Sequence, residues 1–195
     1  QVTQSGNTIL IDSTDTNTIT KVGSSLSAGN GISKSGNGSF DFNGSDAGPQ
    51  YFYAGSNTFL DDSLSSWQFQ CWARYNTGSA GNHSGDTGCL IDQYSGGMSG
   101  RLLFGFQDNK LDMRVNGATV ELTSGTLSAN TWYHVLLNWD GTTHRLFVDG
   151  NLKDSSTTVP ALYTGKRTDF GGGPNLNNYN FHGYMEHVLV EQGAT

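Results

Sequence analysis

The stretch TWYHVLLNWDGTTHRLFVDGNLK, residues 131–153, reads as strand, Asp-Gly, strand, Asp-Gly, strand. Asp-Gly supplies the positive φ that a two-residue hairpin or a bulged turn needs. Tyr133, Val135, Leu137 and Trp139 alternate to one side, which is the expected core face. The segment HRLFV pairs back, and Asp149-Gly150 turns the chain again. A slip of one residue would move Trp139 into water, so both turns set the register tightly. A chain carrying this meander is committed to antiparallel sheet.

The rest of the chain follows the same grammar. SFDFNGSD (39–46) puts Phe40 and Phe42 on one face and turns at Asn43-Gly44, and QYFYAGS (50–56) is aromatic and strand-like. From Trp67 onward, Trp67, Phe69, Cys71, Ala73 and Tyr75 share one side of a strand, and Gln68, Gln70, Trp72 and Arg74 share the other. Residues 76–88 are a glycine-rich loop without apolar content. CLIDQYS (89–95) returns as a strand, RLLFGFQ and KLDMRV form a hairpin around Asp108-Asn109, and TVELTSG (119–125) follows. The tail holds a glycine loop at 171–174, an Asn-rich loop at 175–180 and a last strand at 181–191. A single helical turn is expected near residues 61–64. Short strands separated by turn signals every 8–12 residues or so point to a sandwich or barrel. At 195 residues the chain is long enough for one such domain with a sizeable core.

Composition excludes several classes. Charged residues make up 14% and aromatics 11%, the reverse of a disordered chain. Net charge is −7, and the ten Lys and Arg are scattered singly apart from Lys166-Arg167. Nucleic acid needs a clustered basic face, and an anionic membrane surface needs basic segments, so neither is an expected partner. No apolar run approaches the ~18 residues of a membrane-spanning helix. Cys71 and Cys89 read as two free, buried thiols, with a bridge between them as the alternative. The chain begins with Gln1, which points to a removed leader or a segment of a longer polypeptide.

The pattern W-x-H-V, W-D-G, L-F-V-D-G across residues 131–153 resembles the central meander of laminin-G-like, concanavalin-A-like jelly-roll domains. GNGSFDFNGSD (36–46) looks like their entry strand, SSWQFQCWARY (65–75) like a central strand, and FHGYMEHVLVEQGA (181–194) like the closing strand. The departures are Asn43, where the family usually goes directly to Gly, and Met185-Glu186-His187, where it usually has Ile-Asp-Glu. Residues 10–42 are similar to the lead-in of such domains in proteins of marine and cyanobacterial bacteriophages. The resemblance implies an all-β, two-sheet antiparallel jelly-roll sandwich. Residues 1–35 would be a lead-in packed on the sandwich and residues 36–195 the jelly roll, one structural unit in all.

The glucanase branch of that fold needs two carboxylates about 5 Å apart. The Glu residues here are Glu121, Glu186 and Glu191, and on a regular strand Glu186 and Glu191 point to opposite faces. Asp108 and Asp112 share a side but are separated by a turn. His134 and His144 are expected as surface or interface residues with satisfied hydrogen bonds. No catalytic residue is assigned. No cofactor is required, but relatives often carry calcium on a loop rim. Asp41, Asn43 and Asp46 form one oxygen-rich cluster, Asp61 and Asp62 another, and Asp86 sits in the glycine loop. The alternative is that these are turn-forming residues, as Asp140 and Asp149 are. Sugar binding needs an aromatic platform beside amide or carboxylate hydrogen bonds. The loop aromatics Tyr51, Tyr53, Tyr94, Tyr163 and Tyr179, with Asn175, Asn177 and Asn178, could supply one. They could equally pack against the sheets or against neighbouring subunits.

The first functional expectation is a non-enzymatic module of a phage particle, a capsid decoration or the head of a tail fibre or spike. Its partners would be other virion proteins, further copies of itself in a trimer, or a host-surface polysaccharide. A polyanionic glycan would be repelled by the net charge. The alternative is a secreted or cell-surface bacterial lectin-like module cut from a larger adhesin or polysaccharide-degrading enzyme. A glycoside hydrolase of the same fold ranks third.

Overall fold

The structure, a computed structural model, describes residues 19–22, 27–29, 32–35, 39–43, 50–57, 60, 62, 66–76, 88–94, 100–116, 119–160, 162, 166–173 and 180–193. Side chains of 19–22, 27–29, 43, 56, 57, 94 and 166 are outside the description. The helical turn expected at 61–64 falls largely outside it too.

Among the described residues fourteen strands form two seven-stranded antiparallel sheets, and no helix occurs. The strands are β1 (Ile19–Val22), β2 (Ser27–Gly29), β3 (Ser39–Asn43), β4 (Tyr51–Asn57), β5 (Trp67–Tyr75), β6 (Gly88–Tyr94) and β7 (Leu102–Gln107). They continue with β8 (Lys110–Val115), β9 (Thr119–Thr126), β10 (Tyr133–Trp139), β11 (His144–Val148), β12 (Asn151–Ser156), β13 (Lys166–Phe170) and β14 (His182–Gln192). One sheet runs β1-β4-β13-β6-β7-β8-β9, and the other runs β12-β11-β10-β5-β14-β3-β2. Late strands thus insert between early ones, β13 between β4 and β6 and β14 between β5 and β3. This is the jelly-roll sandwich that the resemblance implies.

The meander at 131–153 is β10 to β12, with Val135 opposite Val148 and Trp139 opposite His144. Its two Asp-Gly turns are built differently. Asp149 (φ 51°) and Gly150 (φ 75°) form the expected two-residue turn. At the other turn only Gly141 has positive φ (93°), and the Asp140 carboxylate accepts the amides of Thr142 and Thr143, each at 2.9 Å.

The core lies between the sheets. On β5 every second residue from Trp67 to Tyr75 is buried, as its period requires. Aromatic contacts join the sheets: Phe52 of β4 lies 5.0 Å from Phe40 and 6.0 Å from Phe42 of β3, and Tyr75 lies 4.5 Å from Phe106 of β7. Cys71 belongs to this core, while Cys89 packs with Leu103 in a small separate cluster. Both thiols are free and buried.

Residues ahead of 36 contribute β1 to the edge of one sheet and β2 to the edge of the other. Between β2 and β3, the amides of Lys34 (2.6 Å) and Ser35 (3.2 Å) donate to the Glu186 carboxylate. Glu186 also corrects a sequence expectation. A bulge between Glu186 and Leu189, with His187 at φ 49°, shifts the register of β14. Glu186 then faces Trp72 and Glu191 faces Gln68, which share one side of β5. The two Glu residues therefore point to the same face, where a regular strand would have opposed them. They stay four β5 residues apart, roughly 13 Å along the strand.

Candidate functional site

Strand alternation gives the sheet that contains β4, β13 and β6 a second face, turned away from the core. Phe52, Phe170 and Ile91 point into the core. Their neighbours Tyr51, Tyr53, Asp169 and Asp92 must then point outward. Asp169 stands between Tyr53 of β4 and Asp92 of β6 in direct register, and Arg167 stands opposite Tyr94.

Two like charges facing each other across adjacent strands are destabilising. Each Asp here has its own arginine. Arg101, just before β7, grips Asp92 with two hydrogen bonds, Nε to Oδ1 at 2.7 Å and a terminal nitrogen to Oδ2 at 3.0 Å. This fork is the strongest geometry a guanidinium and a carboxylate can make. Arg167 donates to Asp169 Oδ2 at 3.0 Å and lies 2.8 Å from Oδ1. Its guanidinium also lies 4.5 Å from the Tyr53 ring centroid and 5.5 Å from that of Tyr51, close enough for cation–π attraction. The two tyrosine rings are 6.2 Å apart.

The cluster is layered. Asp169 and Asp92 are buried, whereas Tyr53 and Arg167 are half-buried and reach solvent. Burial pushes the Asp169 carboxyl up to about 6. Arg167 and Arg101 pull against that shift, and Asp92 adds to it. Burial, with Asp92 nearby, also pushes the Cys89 thiol well up, which leaves it a packing group and not a nucleophile. Arg114 and Asp112 of β8, 3.7 Å apart, continue the alternation of charge across the same face. Chemically the arrangement offers an aromatic ring, a planar cation and a buried acid within one short row.

Of the residues expected to bind sugar, Tyr51 and Tyr53 are brought together. They lie on a strand and not on a loop, and Tyr51 is buried at 5% exposure. Tyr94 also lies on a strand, and its backbone is placed opposite Arg167. Tyr163, Tyr179, Asn175, Asn177 and Asn178 lie outside the described residues. Of the calcium candidates, Asp46, Asp61 and Asp86 lie outside them as well, and Asn43 is placed by its backbone alone. Asp41 is half-buried on β3; burial raises its pKa, and His182 opposes the shift. Asp62 has a different role. Its oxygens accept Trp67 Nε1 at 3.0 Å, the Leu162 amide at 3.1 Å and a hydrogen bond with His144 Nε2 at 3.1 Å. His144, expected as a surface or interface residue with a satisfied hydrogen bond, has that bond but is 1% exposed and stacks on Trp139 at 4.4 Å. His134 is half-buried against Gln70 at 3.1 Å. Among the described residues no three His, Cys, Asp or Glu side chains gather as a metal-binding group.

Sequence reasoning missed Asp92, Arg101, Arg167 and Asp169. A signal existed: Asp is depleted in strands, so an Asp at mid-strand in CLIDQYS and in KRTDF marks an unusual face.

A family described as the concanavalin A-like lectin/glucanases superfamily matches residues 46–195. No curated protein matches the chain. Among solved structures, domain 4 of AbnA, a GH43 extracellular arabinanase from Geobacillus stearothermophilus in complex with arabinotriose, is similar. It has a TM-score of 0.61 at 14% identity over 91% of this chain and 82% of that one. The binding domain of Paraclostridial Mosquitocidal Protein 1 gives 0.62 at 14% identity, over 94% of this chain and 46% of that one. Mouse laminin alpha1 chain domains LG4-5 give 0.55 at 18% identity, over 77% of this chain and 40% of that one. These likenesses are likenesses of fold.

Proposed function

Because the chain belongs to the concanavalin A-like lectin/glucanases superfamily, we propose that it is a non-catalytic carbohydrate-binding module working at the Tyr53–Arg167 face. One observation carries this reading. A half-buried tyrosine and arginine lie against each other, with the arginine held from below by buried Asp169 and the Asp92–Arg101 pair next in the row. A sugar ring lies well on an aromatic face, and its hydroxyls bond to a guanidinium fixed beside it. Rigid support under both groups lowers the cost of ordering them on binding. The similar arabinanase domain in complex with arabinotriose supports the class of ligand.

Absence of catalysis is part of the proposal. Glu186 is engaged by two backbone amides and Glu191 by the Gln68 side chain, and their separation of roughly 13 Å exceeds what either mode of glycoside hydrolysis uses. Asp92 and Asp169 are close neighbours but are buried, so a glycosidic oxygen has no approach to them.

Titration of the protein against a panel of neutral oligosaccharides tests the reading. Tyr53→Ala is expected to weaken the best ligand by about tenfold, or about 1.4 kcal/mol. An unchanged affinity would move the site elsewhere on the molecule.

We further propose that the module is displayed on a phage particle, in contact with other virion proteins. The support is the similarity of residues 10–42 to phage lead-ins. Mass spectrometry of purified particles should find the chain. A full-length gene that places it behind a secretion signal among polysaccharide-degrading domains would give the role to the secreted alternative.

A further inference from the structure

Arg167 is the most exposed of the three arginines described on this face. Its side chain is 28% exposed, against 19% for Arg114 and 9% for Arg101. Its counter-ion, Asp169, is fully buried beneath it. The guanidinium thus bonds to an internal carboxylate and to the Tyr51 side chain, lies over the rings of Tyr51 and Tyr53, and keeps about a quarter of its side chain open to solvent.

We propose that Arg167 receives the carboxylate of a single acidic sugar on an otherwise neutral glycan, and that protonation of Asp169 opens the site. The proposal rests on the carbohydrate-binding reading above and names its ligand class and its control. A planar guanidinium matches a carboxylate through paired hydrogen bonds. The sugar lies against the part of the Tyr53 ring that Arg167 does not cover. Asp169 is an internal competitor for the same cation. While it is ionised, Arg167 is neutralised from within.

The charges around Asp169 can be counted element by element. Arg167 is on its own strand, Tyr51 and Tyr53 are on β4, Asp92 and Cys89 on β6, and Arg101 just before β7. The more distant pair, Asp112 and Arg114, is on β8. Burial pushes the Cys89 thiol well up, so it stays neutral between pH 5 and 8. Asp92 is paired with Arg101 at 2.7 Å, and Asp112 with Arg114 at 3.7 Å. The face therefore goes from net zero to plus one when Asp169 takes a proton. Burial keeps that proton on Asp169 up to about pH 6, so the change falls in the mildly acidic range. A ligand carboxylate beside Asp169 raises its proton affinity further, because like charges disfavour each other. Binding must then take up a proton.

The net charge of −7 limits the ligand to one acidic residue. A polyanion is repelled along its length. One carboxylate in contact with Arg167 is not, because charges beyond a Debye length of about 8 Å are largely screened.

Calorimetry on the unmodified protein tests the proposal. The probes are a disaccharide ending in glucuronate and the same disaccharide ending in glucose, from pH 5 to 8, in buffers of different protonation heat. The acidic probe is expected to gain up to about tenfold per pH unit as pH falls toward 6, with close to one proton taken up near pH 7. The neutral probe should show neither effect. Asp169→Asn should carry the high-affinity plateau up to pH 8, and Arg167→Gln should abolish the preference for the acid. Equal affinity for the two probes at every pH, or acid preference without proton uptake, overturns the proposal. Binding of the neutral probe alone overturns it while leaving the carbohydrate-binding reading in place. No binding of any saccharide overturns both. The proton count needs no variant, so a misfolded mutant does not decide the matter.

Discussion

At the scale of single residues, Asp169 shows how burial changes what a carboxylate does. Folded, it holds its proton to about pH 6, while the ordinary value is 3.8. Between those values the folded state binds more protons than the unfolded state, so stability falls as pH rises through the window. The loss is about 1–2 kcal/mol once solvent screening is allowed for. Thermal melts from pH 3.5 to 7 of the protein and of Asp169→Asn measure it as the difference between two slopes. The variant should lack the fall between about pH 4 and 6; parallel curves would mean that Asp169 titrates normally. Asp62 makes the complementary point. From sequence it is one of two adjacent acids suited to calcium. In the structure it joins Trp67, His144 and Leu162, residues up to 100 positions away, and no local pattern announces that.

At the scale of elements, legibility followed the alternation of apolar residues. The strands β5, β10 and β11 are written in the chain because each has one face in the core and one outside, and β12 follows from the Asp149-Gly150 turn although none of its residues is buried. β13 was not legible. KRTDF has charged or hydroxyl residues at all four positions before Phe170, and its place as an inner strand depends on β4 and β6 closing around it. The bulge in β14 was illegible for a related reason, since His187 adopts φ 49° without a glycine to mark the spot. Gly171, which follows β13, can be tested. It has φ 81°, and a Cβ there would lie 2.0 Å from the Phe42 ring. Gly171→Ala should cost roughly 2–4 kcal/mol, from both backbone strain and overlap. Gly150→Ala, at φ 75° with open space around it, should cost only about 1 kcal/mol. Urea unfolding of the two variants compares them, and equal costs would mean that Phe42 yields freely.

At the scale of the whole molecule, the two sheets close on one aromatic core, and the thiols report on it from two positions. Cys71 lies inside the core, and Cys89 lies in the separate cluster with Leu103. If the sandwich opens as one cooperative unit, both thiols become reactive toward an alkylating reagent at the urea midpoint of tryptophan fluorescence. Earlier reaction of Cys89 alone would show that the face bearing Asp92 and Asp169 opens by itself. The sequence determined the class of fold, because a period of two and Asp-Gly turns are local properties that leave an antiparallel sheet little choice. It determined the core face of each alternating strand for the same reason. The candidate site was decided by tertiary structure alone. Tyr53, Asp92, Arg101, Arg167 and Asp169 come from four separate segments, and their meaning lies in strand order and in the burial of one acid beneath one arginine, which no single segment encodes.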